Sequence, residues 1–325
     1  FSNLSYPCIA VLIGGSTNGS VTNTGTGTIT LNGTGGGSGA SSADYGVRVS
    51  NAAVVSSVNG AMTVNGIGGN GAGTGSNNVG VYISATGSTI QSTGTGSVTI
   101  TGTGSNSSGG YNHGIYSAIA NVIQTPGSGS ITLRGIKGGQ ATSYGVYGDL
   151  ANEYVTTGTG NLTVYTDTIS LTAANTINSA GVLTIAPYTN GSMGVGYSTG
   201  YTLNLDDTTL GYINGASYVF GALVTGNGTT STSDLTINTT KDFATKNVTF
   251  ISGQDINLAG TLTKATGAGT ATYLFQAKRN IYNTNTAAIT STTGSINLTL
   301  QSDFDGNSDG AISLNGGGIT TNGGN

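Results

Sequence analysis

The stretch Ile29-Thr-Leu31 is the first of five copies of one short pattern, in which a threonine lies between two large apolar residues. Alternation of apolar and polar residues is the periodicity of a β-strand. The central threonines are separated by 33, 36, 33 and 31 residues, so the pattern returns at a nearly constant interval, which is typical of repeat proteins. The other copies are Met62-Thr-Val64, Val98-Thr-Ile100, Ile131-Thr-Leu133 and Leu162-Thr-Val164.

Two further apolar patterns recur in the same order as the threonine pattern. One begins with glycine, followed by a β-branched residue and then by arginine or tyrosine. The other is a pair of residues that includes at least one valine or isoleucine. The glycine pattern occurs at Gly46-Val-Arg48, Gly80-Val-Tyr82, Gly114-Ile-Tyr116 and Gly145-Val-Tyr147. The paired pattern occurs at Val54-Val55, Thr89-Ile90, Val122-Ile123 and Tyr154-Val155.

Three short strands in each repeat predict a solenoid, because a single repeat cannot bury its apolar side alone. If each strand stacks on its equivalent, about 4.8 Å away, equivalent strands run in the same direction and their sheets are parallel. We therefore predict an all-β fold, a right-handed parallel β-helix with three short strands per coil. The right hand follows from the general handedness of strand crossovers.

The rhythm of the chain divides it into three segments. Residues 1–15 are predicted to form a first strand or cap. Residues 16–166 are predicted to form a regular, Gly- and Thr-rich β-helix with coils of about 33 residues. Residues 167–325 are predicted to continue the helix with shorter and less regular coils, and with larger core residues around Tyr273-Leu-Phe275. We also expect the chain to be a stretch of a longer protein or a subunit of a fibre.

The composition restricts the class of protein. The 325 residues include 58 glycines and only three prolines, and 6% of the residues are charged. The net charge of −4 gives no basic surface for nucleic acid, so we expect no nucleic-acid partner. No apolar run reaches the roughly 18 residues of a membrane span. Cys8 is the only cysteine, which excludes an internal disulfide, and we expect a buried small side chain there.

The repeats predict vertical rows of equivalent side chains. One row combines an arginine with tyrosines, so the guanidinium should lie over an aromatic ring. A second row includes His113, the single histidine, which we interpret as structural and not catalytic. The first row is Arg48, Tyr82, Tyr116 and Tyr147, and the second is Tyr45, Val79, His113 and Tyr144. The third row is Thr30, Thr63, Thr99, Thr132 and Thr163. The alternative to a purely structural role is a tyrosine-lined face that binds glycans.

Catalytic chemistry finds little support in the residues. Glycoside hydrolysis requires two carboxyl groups that face one groove. The twelve acidic residues are scattered and include one glutamate, Glu153. The one adjacent pair, Asp206-Asp207, is predicted to lie on a strand with its side chains on opposite faces. We therefore predict a protein that is not an enzyme, and keep a carbohydrate-active β-helix enzyme as a third interpretation.

A single stretch resembles a metal-binding loop. Oxygen-bearing side chains occur there at every second position, the kind of ligands that Ca²⁺ takes. The stretch lacks the glycine and the glutamate of an EF-hand loop at their expected places, and Asp, Asn and Gly are also the usual residues of turns. Calcium binding and a solvated turn both remain open, and no other cofactor is expected. The candidate ligands are Asp303, Asp305, Asn307 and Asp309.

The second half of the chain resembles the repeats of filamentous-haemagglutinin-like exoproteins. The resemblance covers roughly residues 167–325 and rests on short strand phrases rich in Ile, Leu, Asn and Thr. These phrases are Ala174–Pro187, which contains Val182-Leu-Thr-Ile185, then Thr202-Leu-Asn-Leu205 with Leu210, Asp255-Ile-Asn-Leu258, Thr293-Gly-Ser-Ile-Asn-Leu298, Ser302–Leu314 and Gly318–Asn325. The zone 29–164 is similar, more broadly, to the Gly- and Thr-rich repeats of large bacterial surface β-helix proteins.

What the resemblance implies is a long, right-handed β-helix that is secreted or tethered at the cell surface. Proteins of this family often leave the cell by two-partner secretion and serve adhesion, aggregation or biofilm formation. The chain contains no Asn-Pro-Asn motif of the kind carried by the family's secretion domain.

The resemblance and the repeats together predict an extracellular, non-enzymatic adhesin or fibre component. Its expected partners are further copies of itself, joined end to end or laterally, and glycans of a host cell or matrix. The main alternative is a purely structural sheath or matrix filament whose partner is itself alone. Binding to cells or glycans, as opposed to assembly with no other ligand, distinguishes the two interpretations.

Overall fold

The computed structural model describes residues 7–120, 122–224, 226–228, 231–284 and 286–325. The first six residues of the segment predicted as a first strand or cap lie outside this part of the chain. The chain divides into two compact units, which are described one at a time. The first unit comprises residues 1–181 and 212–214, and the second comprises residues 182–211 and 215–325.

The first unit is built from short strands, most of them three to six residues long. The last of them, β17, begins in this unit and ends in the second. The strands are β1 (Val11–Ile13), β2 (Ser20–Asn23), β3 (Ile29–Thr34), β4 (Val47–Val49), β5 (Val54–Ser57), β6 (Met62–Ile67), β7 (Val81–Ile83), β8 (Thr89–Ser92), β9 (Val98–Thr103), β10 (Ile115–Ser117), β11 (Ile123–Thr125), β12 (Ile131–Ile136), β13 (Val146–Gly148), β14 (Tyr154–Thr156), β15 (Leu162–Thr166), β16 (Ile169–Leu171) and β17 (Ile177–Ala186).

From β1 to β14, each strand pairs with the strand three places further along the chain. This rule produces three series of strands. The series are β1-β4-β7-β10-β13-β16, β2-β5-β8-β11-β14-β17 and β3-β6-β9-β12-β15. Every pairing for which a register is defined in these series is parallel. The prediction of an all-β fold with parallel sheets is therefore confirmed.

The core of the first unit consists of stacked apolar side chains. In several of the three-residue strands the outer residues are buried and the central one is partly exposed, as in Val47, Arg48 and Val49 of β4. Pairing then places Val47 against Val81 and Val81 against Ile115, and these three side chains are fully buried. Complete burial of such a side chain contributes about 1.5–3 kcal/mol.

Glycines allow two strand series to approach closely at a corner. Gly66 in β6 and Gly102 in β9 lie in register, and each faces the carbonyl of the glycine that precedes the next strand. A Cβ atom at Gly102 would overlap the carbonyl oxygen of Gly114, and one at Gly66 would overlap that of Gly80. The absence of a side chain at these positions is thus a requirement of packing and not of backbone dihedral angles.

The second unit contains longer strands and one short helix. Its elements are β18 (Met193–Val195), β19 (Leu203–Leu205), α1 (Asp207–Gly211), β20 (Ile213–Phe220), β21 (Leu235–Ile237), β22 (Asn247–Ser252), β23 (Ile256–Leu258), β24 (Leu262–Lys264), β25 (Thr270–Ala277), β26 (Ile281–Asn283), β27 (Ile289–Ser291), β28 (Ser295–Gln301), β29 (Ile312–Ser313) and β30 (Ile319–Thr320). Their parallel series are β19-β18-β21-β23-β26-β29, β20-β22-β25-β28 and β24-β27-β30. The first two residues of β20 belong to the first unit.

Aromatic residues fill the core of the second unit. Phe220 pairs with Phe250, and Phe250 pairs with Phe275, so three phenylalanine rings lie in one row. Their ring centroids are 5.7 and 4.9 Å apart, within the range of favourable aromatic contacts. Tyr273 is also fully buried. Of the larger core residues predicted at 273–275, Tyr273 and Phe275 therefore lie inside the unit, whereas Leu274 between them is partly exposed.

A buried lysine was not predicted from the sequence. Lys264 is fully buried in the second unit, and its Nζ donates to the carbonyl oxygens of Thr266, Gly267 and Thr293. A buried ammonium group requires such compensation, because transfer of a charge out of water is unfavourable. The three carbonyls connect the loop after β24 to the turn before β28.

Two expectations about single residues were wrong. Asp206 and Asp207 do not lie together on a strand: Asp206 Oδ1 accepts the Thr209 N–H at 2.7 Å and caps α1, and Asp207 is its first residue. Cys8 is exposed and not buried, and what fixes its segment is its backbone N–H, which donates to Asp44. In the described part of the chain, no helix is long and apolar enough to cross a membrane.

Candidate functional site

The central residues of four consecutive strands of the first series form an outward row. Arg48 pairs with Tyr82, Tyr82 with Tyr116, and Tyr116 with Tyr147. Each is partly exposed, whereas the residues on both sides of it in the strand are buried. The alternation of strand side chains therefore directs this row away from the core.

The rings of this row contact one another. The centroids of Tyr82 and Tyr116 are 5.1 Å apart with nearly parallel planes, and those of Tyr116 and Tyr147 are 5.0 Å apart with an edge-on contact. The Arg48 guanidinium lies 5.8 Å from the Tyr82 ring and 5.5 Å from the Tyr45 ring. Stacked and edge-on pairs each add about 0.5–1.5 kcal/mol beyond burial.

The row of residues that immediately precede the glycines contacts the first row. The carbonyl oxygens of Val79, His113 and Tyr144 accept the N–H groups of Gly46, Gly80 and Gly114. The Tyr45 ring lies 4.8 Å from the Tyr82 ring, and the His113 ring lies 4.5 Å from the Tyr147 ring. We call the combined surface the aromatic face; its members are Tyr45, Arg48, Tyr82, Tyr111, His113, Tyr116, Tyr144 and Tyr147.

Burial favours the neutral forms of several titratable groups of the aromatic face, Tyr147 among them. It lowers the pKa of His113 to about 4 and raises the pKa of Tyr45 to about 12. Burial and the nearby Asp149 carboxylate also raise the pKa of Tyr116, whose hydroxyl lies 3.3 Å from Asp149 Oδ2. At neutral pH the His113 imidazole is therefore uncharged, and Arg48 is the only cation of the aromatic face.

A surface depression of about 300 Å³ lies at one end of the aromatic face. Its aromatic lining is Tyr111, His113, Tyr144 and Tyr147, and its hydroxyl lining is Thr142, Ser170 and Thr172. The volume is at the lower limit of the roughly 300–1,000 Å³ that ligand sites occupy. Aromatic rings with a few convergent polar groups are the usual lining of such sites.

A buried polar row supports the aromatic face from behind. Asp44 Oδ1 accepts the Cys8 N–H at 2.7 Å, Asn78 Oδ1 accepts the Asp44 N–H at 2.9 Å, and Asn112 Oδ1 accepts the Asn78 N–H at 2.8 Å. Ser143 Oγ accepts the Asn112 N–H at 3.0 Å and continues the row. This row was not predicted from the sequence. The feature of the sequence that could have indicated this row is a constant position, since each member lies two residues before the glycine of its repeat.

A buried carboxyl group lies under the strand that carries Tyr147. Glu153 is fully buried, and its Oε1 accepts the N–H groups of Asp149 and Leu150 at 3.0 and 2.9 Å. Burial raises the pKa of Glu153 to about 9, although these two hydrogen bonds act in the opposite direction. The neighbouring Tyr154 hydroxyl donates to the Tyr147 carbonyl at 2.8 Å. Glu153 therefore holds a turn in place and has no surface from which to act on a substrate.

The predicted threonine row lies on another series of strands. Thr30 pairs with Thr63, Thr63 with Thr99, and Thr132 pairs with both Thr99 and Thr163. Thr30 is exposed and the other four are partly exposed. The row therefore presents hydroxyl groups to solvent at the spacing of paired strands, about 4.8 Å.

The candidate calcium ligands lie in an exposed turn of the second unit. The carboxylate oxygens of Asp303, Asp305 and Asp309 lie within 4.8 Å of one another, the only such cluster of His, Cys, Asp or Glu in the described residues. Both Asp303 oxygens accept the Ser308 N–H, at 3.0 and 3.1 Å, and Asn307 Oδ1 accepts the Asp309 N–H at 3.2 Å. The turn is thus closed by its own hydrogen bonds.

No protein-family model matches the chain, and no curated protein or solved structure is significantly similar to it.

Proposed function

We propose that the chain is a right-handed parallel β-helix with three short strands per coil, of the kind found in filamentous-haemagglutinin-like surface proteins. The pairing of strands β1 to β14 with the strand three places later supports three strands per coil. The right hand is supported by the general rule that about 98% of parallel crossovers are right-handed.

We infer that this β-helix is exported and acts as a non-enzymatic structural and adhesive segment at the cell surface. The observation that carries the proposal is the aromatic face, in which Arg48, Tyr82, Tyr116 and Tyr147 form one continuous outward row. Tyrosine and arginine are enriched where proteins bind their partners, because both combine a large apolar area with a polar group. A rigid row of such residues is suited to contact with an extended surface.

An adhesion assay tests this function. The purified chain, immobilised on beads, is expected to retain host cells or extracellular matrix more strongly than beads that carry an unrelated protein. A variant with Tyr82→Ser and Tyr116→Ser removes the centre of the outward row and should reduce retention. A control variant, Tyr212→Ser, changes a partly exposed tyrosine outside the aromatic face and should retain cells as the unchanged protein does.

The same sample distinguishes the filament alternative. Electron microscopy of the purified chain that shows regular end-to-end filaments, together with beads that retain neither cells nor matrix, would replace adhesion by a purely structural function. Retention that is equal in the Tyr82→Ser, Tyr116→Ser variant would remove the aromatic face from the proposal. Folding of each variant is checked by its circular dichroism spectrum and thermal midpoint.

A further inference from the structure

We propose that the depression lined by Tyr111, His113, Tyr144 and Tyr147 binds a ring of a neutral carbohydrate. The inference deepens the adhesive function proposed above and rests on it. A sugar ring has an apolar C–H face and a rim of hydroxyl groups, so its binding site needs aromatic rings together with uncharged hydrogen-bonding groups. The depression has both.

The requirements of the fold do not explain why a tyrosine occupies position 111. Its backbone has a φ of 60°, in the left-handed region, and the residue is 57% exposed. The equivalent residues of the two preceding repeats are Ala43 and Asn77, with φ values of 63° and 59°. The left-handed conformation is therefore a property of the repeat, and asparagine is among the residues that tolerate it best.

A tyrosine at this position is unfavourable for the fold. The left-handed conformation costs about 1–2 kcal/mol for a residue with a bulky side chain. Because more than half of the residue is exposed, Tyr111 loses much of the burial that could offset this cost. Residues that oppose local preferences are expected at functional sites. The ring instead stands at the rim of the depression, 6.3 Å from the His113 ring.

The other rings form a layered platform. The planes of His113 and Tyr144 differ by 7°, those of His113 and Tyr147 by 13°, and those of Tyr144 and Tyr147 by 18°. Tyr147 lies on a paired strand, and His113 Nδ1 accepts a hydrogen bond from the Tyr144 backbone N–H, so the orientation of these rings is set before a ligand arrives. Pre-organised side chains lose little conformational entropy on binding.

The polar groups of the depression can donate and accept hydrogen bonds without carrying charge. His113 Nδ1 accepts the Tyr144 N–H at 3.1 Å, so the proton of the neutral imidazole is on Nε2. No group in the described part of the chain accepts a hydrogen bond from Nε2, or from the Ser170 and Thr172 hydroxyls, which also line the depression. These donors are available to the hydroxyl groups of a sugar.

The charge of the lining selects the class of ligand. None of the side chains that line the depression is charged at neutral pH, since the pKa of His113 is lowered to about 4. An anionic sugar would find no cation there, and the net charge of −4 disfavours it further. We therefore assign the depression to uncharged hexoses or pentoses, as free oligosaccharides or at the ends of surface glycans.

The test compares two asparagine variants. Tyr111→Asn installs the residue that Asn77 provides in the preceding repeat, so its thermal midpoint should stay equal or rise. Tyr212→Asn is the control, a partly exposed tyrosine outside the depression. The fluorescently labelled proteins are applied to an array that carries neutral, sialylated and sulfated glycans, and the best neutral glycan is then titrated in solution. We expect binding of neutral glycans by the unchanged protein and by Tyr212→Asn, and binding about three- to tenfold weaker by Tyr111→Asn, as loss of a stacking ring implies.

Three results would overturn the site. They are binding of no glycan, binding of anionic glycans alone, and equal affinity in the Tyr111→Asn variant. The adhesion assay separates this failure from that of the proposed function. Cells retained equally by the Tyr111→Asn variant, with no glycan bound, would leave adhesion intact and remove the sugar site. Neutral glycans bound by a protein that retains no cells or matrix would keep the site and remove adhesion.

Discussion

At the scale of single residues, Glu153 links stability to pH. The ordinary pKa of its carboxyl group is 4.5, and burial raises the pKa in the folded chain to about 9. Between these values the folded state holds a proton that the unfolded state has released. The contribution of Glu153 is therefore fully present below about pH 4.5 and is lost as the pH rises toward 9.

We predict that Glu153→Gln removes this dependence. The glutamine oxygen can still accept the N–H groups of Asp149 and Leu150, but the side chain cannot ionise. Relative to the variant, the unchanged protein should lose at least about 2 kcal/mol of unfolding free energy between about pH 5 and about pH 9. Urea unfolding at stepped pH measures the difference. Asp305→Asn, at an exposed site, is the control and should follow the unchanged protein; an unchanged protein whose stability runs parallel to that of Glu153→Gln would contradict the prediction.

At the scale of elements, the corner after β9 depends on a glycine. A Cβ atom at Gly102 would overlap the Gly114 carbonyl oxygen, which is backbone and cannot move aside as a flexible side chain would. Strands β9 and β10 would then have to separate, and the buried residues that flank them would lose contacts. Overpacking of this kind costs about 1–3 kcal/mol.

We therefore expect Gly102→Ala to lower the unfolding free energy of the protein by about 2 kcal/mol or more. The matched control is Gly71→Ala, since a Cβ atom at Gly71 meets no other atom within 4 Å. The control should be neutral or slightly stabilising, because alanine restricts the unfolded chain more than glycine does. Chemical denaturation of both variants measures the difference, and equal midpoints would show that the corner can open without loss.

The exposed turn of residues 303–309 is the second element whose behaviour can be tested. The Asp303 carboxylate and the Asn307 amide oxygen already accept hydrogen bonds within the turn, and Lys278 Nζ lies 3.9 Å from Asp305 Oδ2. We expect a solvated turn, so addition of about 1 mM Ca²⁺ should leave the thermal midpoint unchanged relative to a chelator. A saturable rise that disappears in Asp303→Asn would instead establish the calcium site.

At the scale of the whole molecule, surface ion pairs contribute little to stability. The described residues contain three ion pairs, all made by Lys278 or Arg279, and each has at least one partner that is about 40% exposed. Such pairs contribute about 0–1 kcal/mol and are screened by salt. We predict that the thermal midpoint changes by less than about 3 °C between about 0.05 and about 0.5 M NaCl. A larger fall would show that the ion pairs matter more than their exposure indicates.

The parallel strand pairing could be predicted from the sequence because the repeat is visible in one dimension. Thr30, Thr63 and Thr99 recur at nearly equal intervals, and in a stacked fold equal spacing becomes lateral pairing. The buried polar groups could not be predicted in this way. Asn78 is a residue type that is common in turns, and Lys264 is a residue type that is common on solvated surfaces. Nothing in the local sequence indicates which groups will surround either side chain in the folded protein.

The candidate site, like the fold, could be predicted from the sequence only in part. The aromatic residues of the repeats could be aligned in advance, because Tyr82, Tyr116 and Tyr147 occupy the same place in each glycine pattern. The depression could not be predicted, because Tyr111 and Thr142 lie outside the repeated strands. Their position beside the aromatic rings depends on the path of the intervening loops. The left-handed backbone of Tyr111 is likewise a property of the folded turn.

The hydrogen-bonding register that β6 shares with both β3 and β9 has an evolutionary consequence. Each repeat pairs with the next repeat through the same kind of strand edge by which the previous repeat pairs with it. Neighbouring copies are therefore modular. Unequal recombination can delete or duplicate one module of 33–36 residues, and the edges on either side of the junction still match. The number of repeats, and with it the number of aromatic residues in the outward row, can therefore change during evolution without a change in the packing of the core.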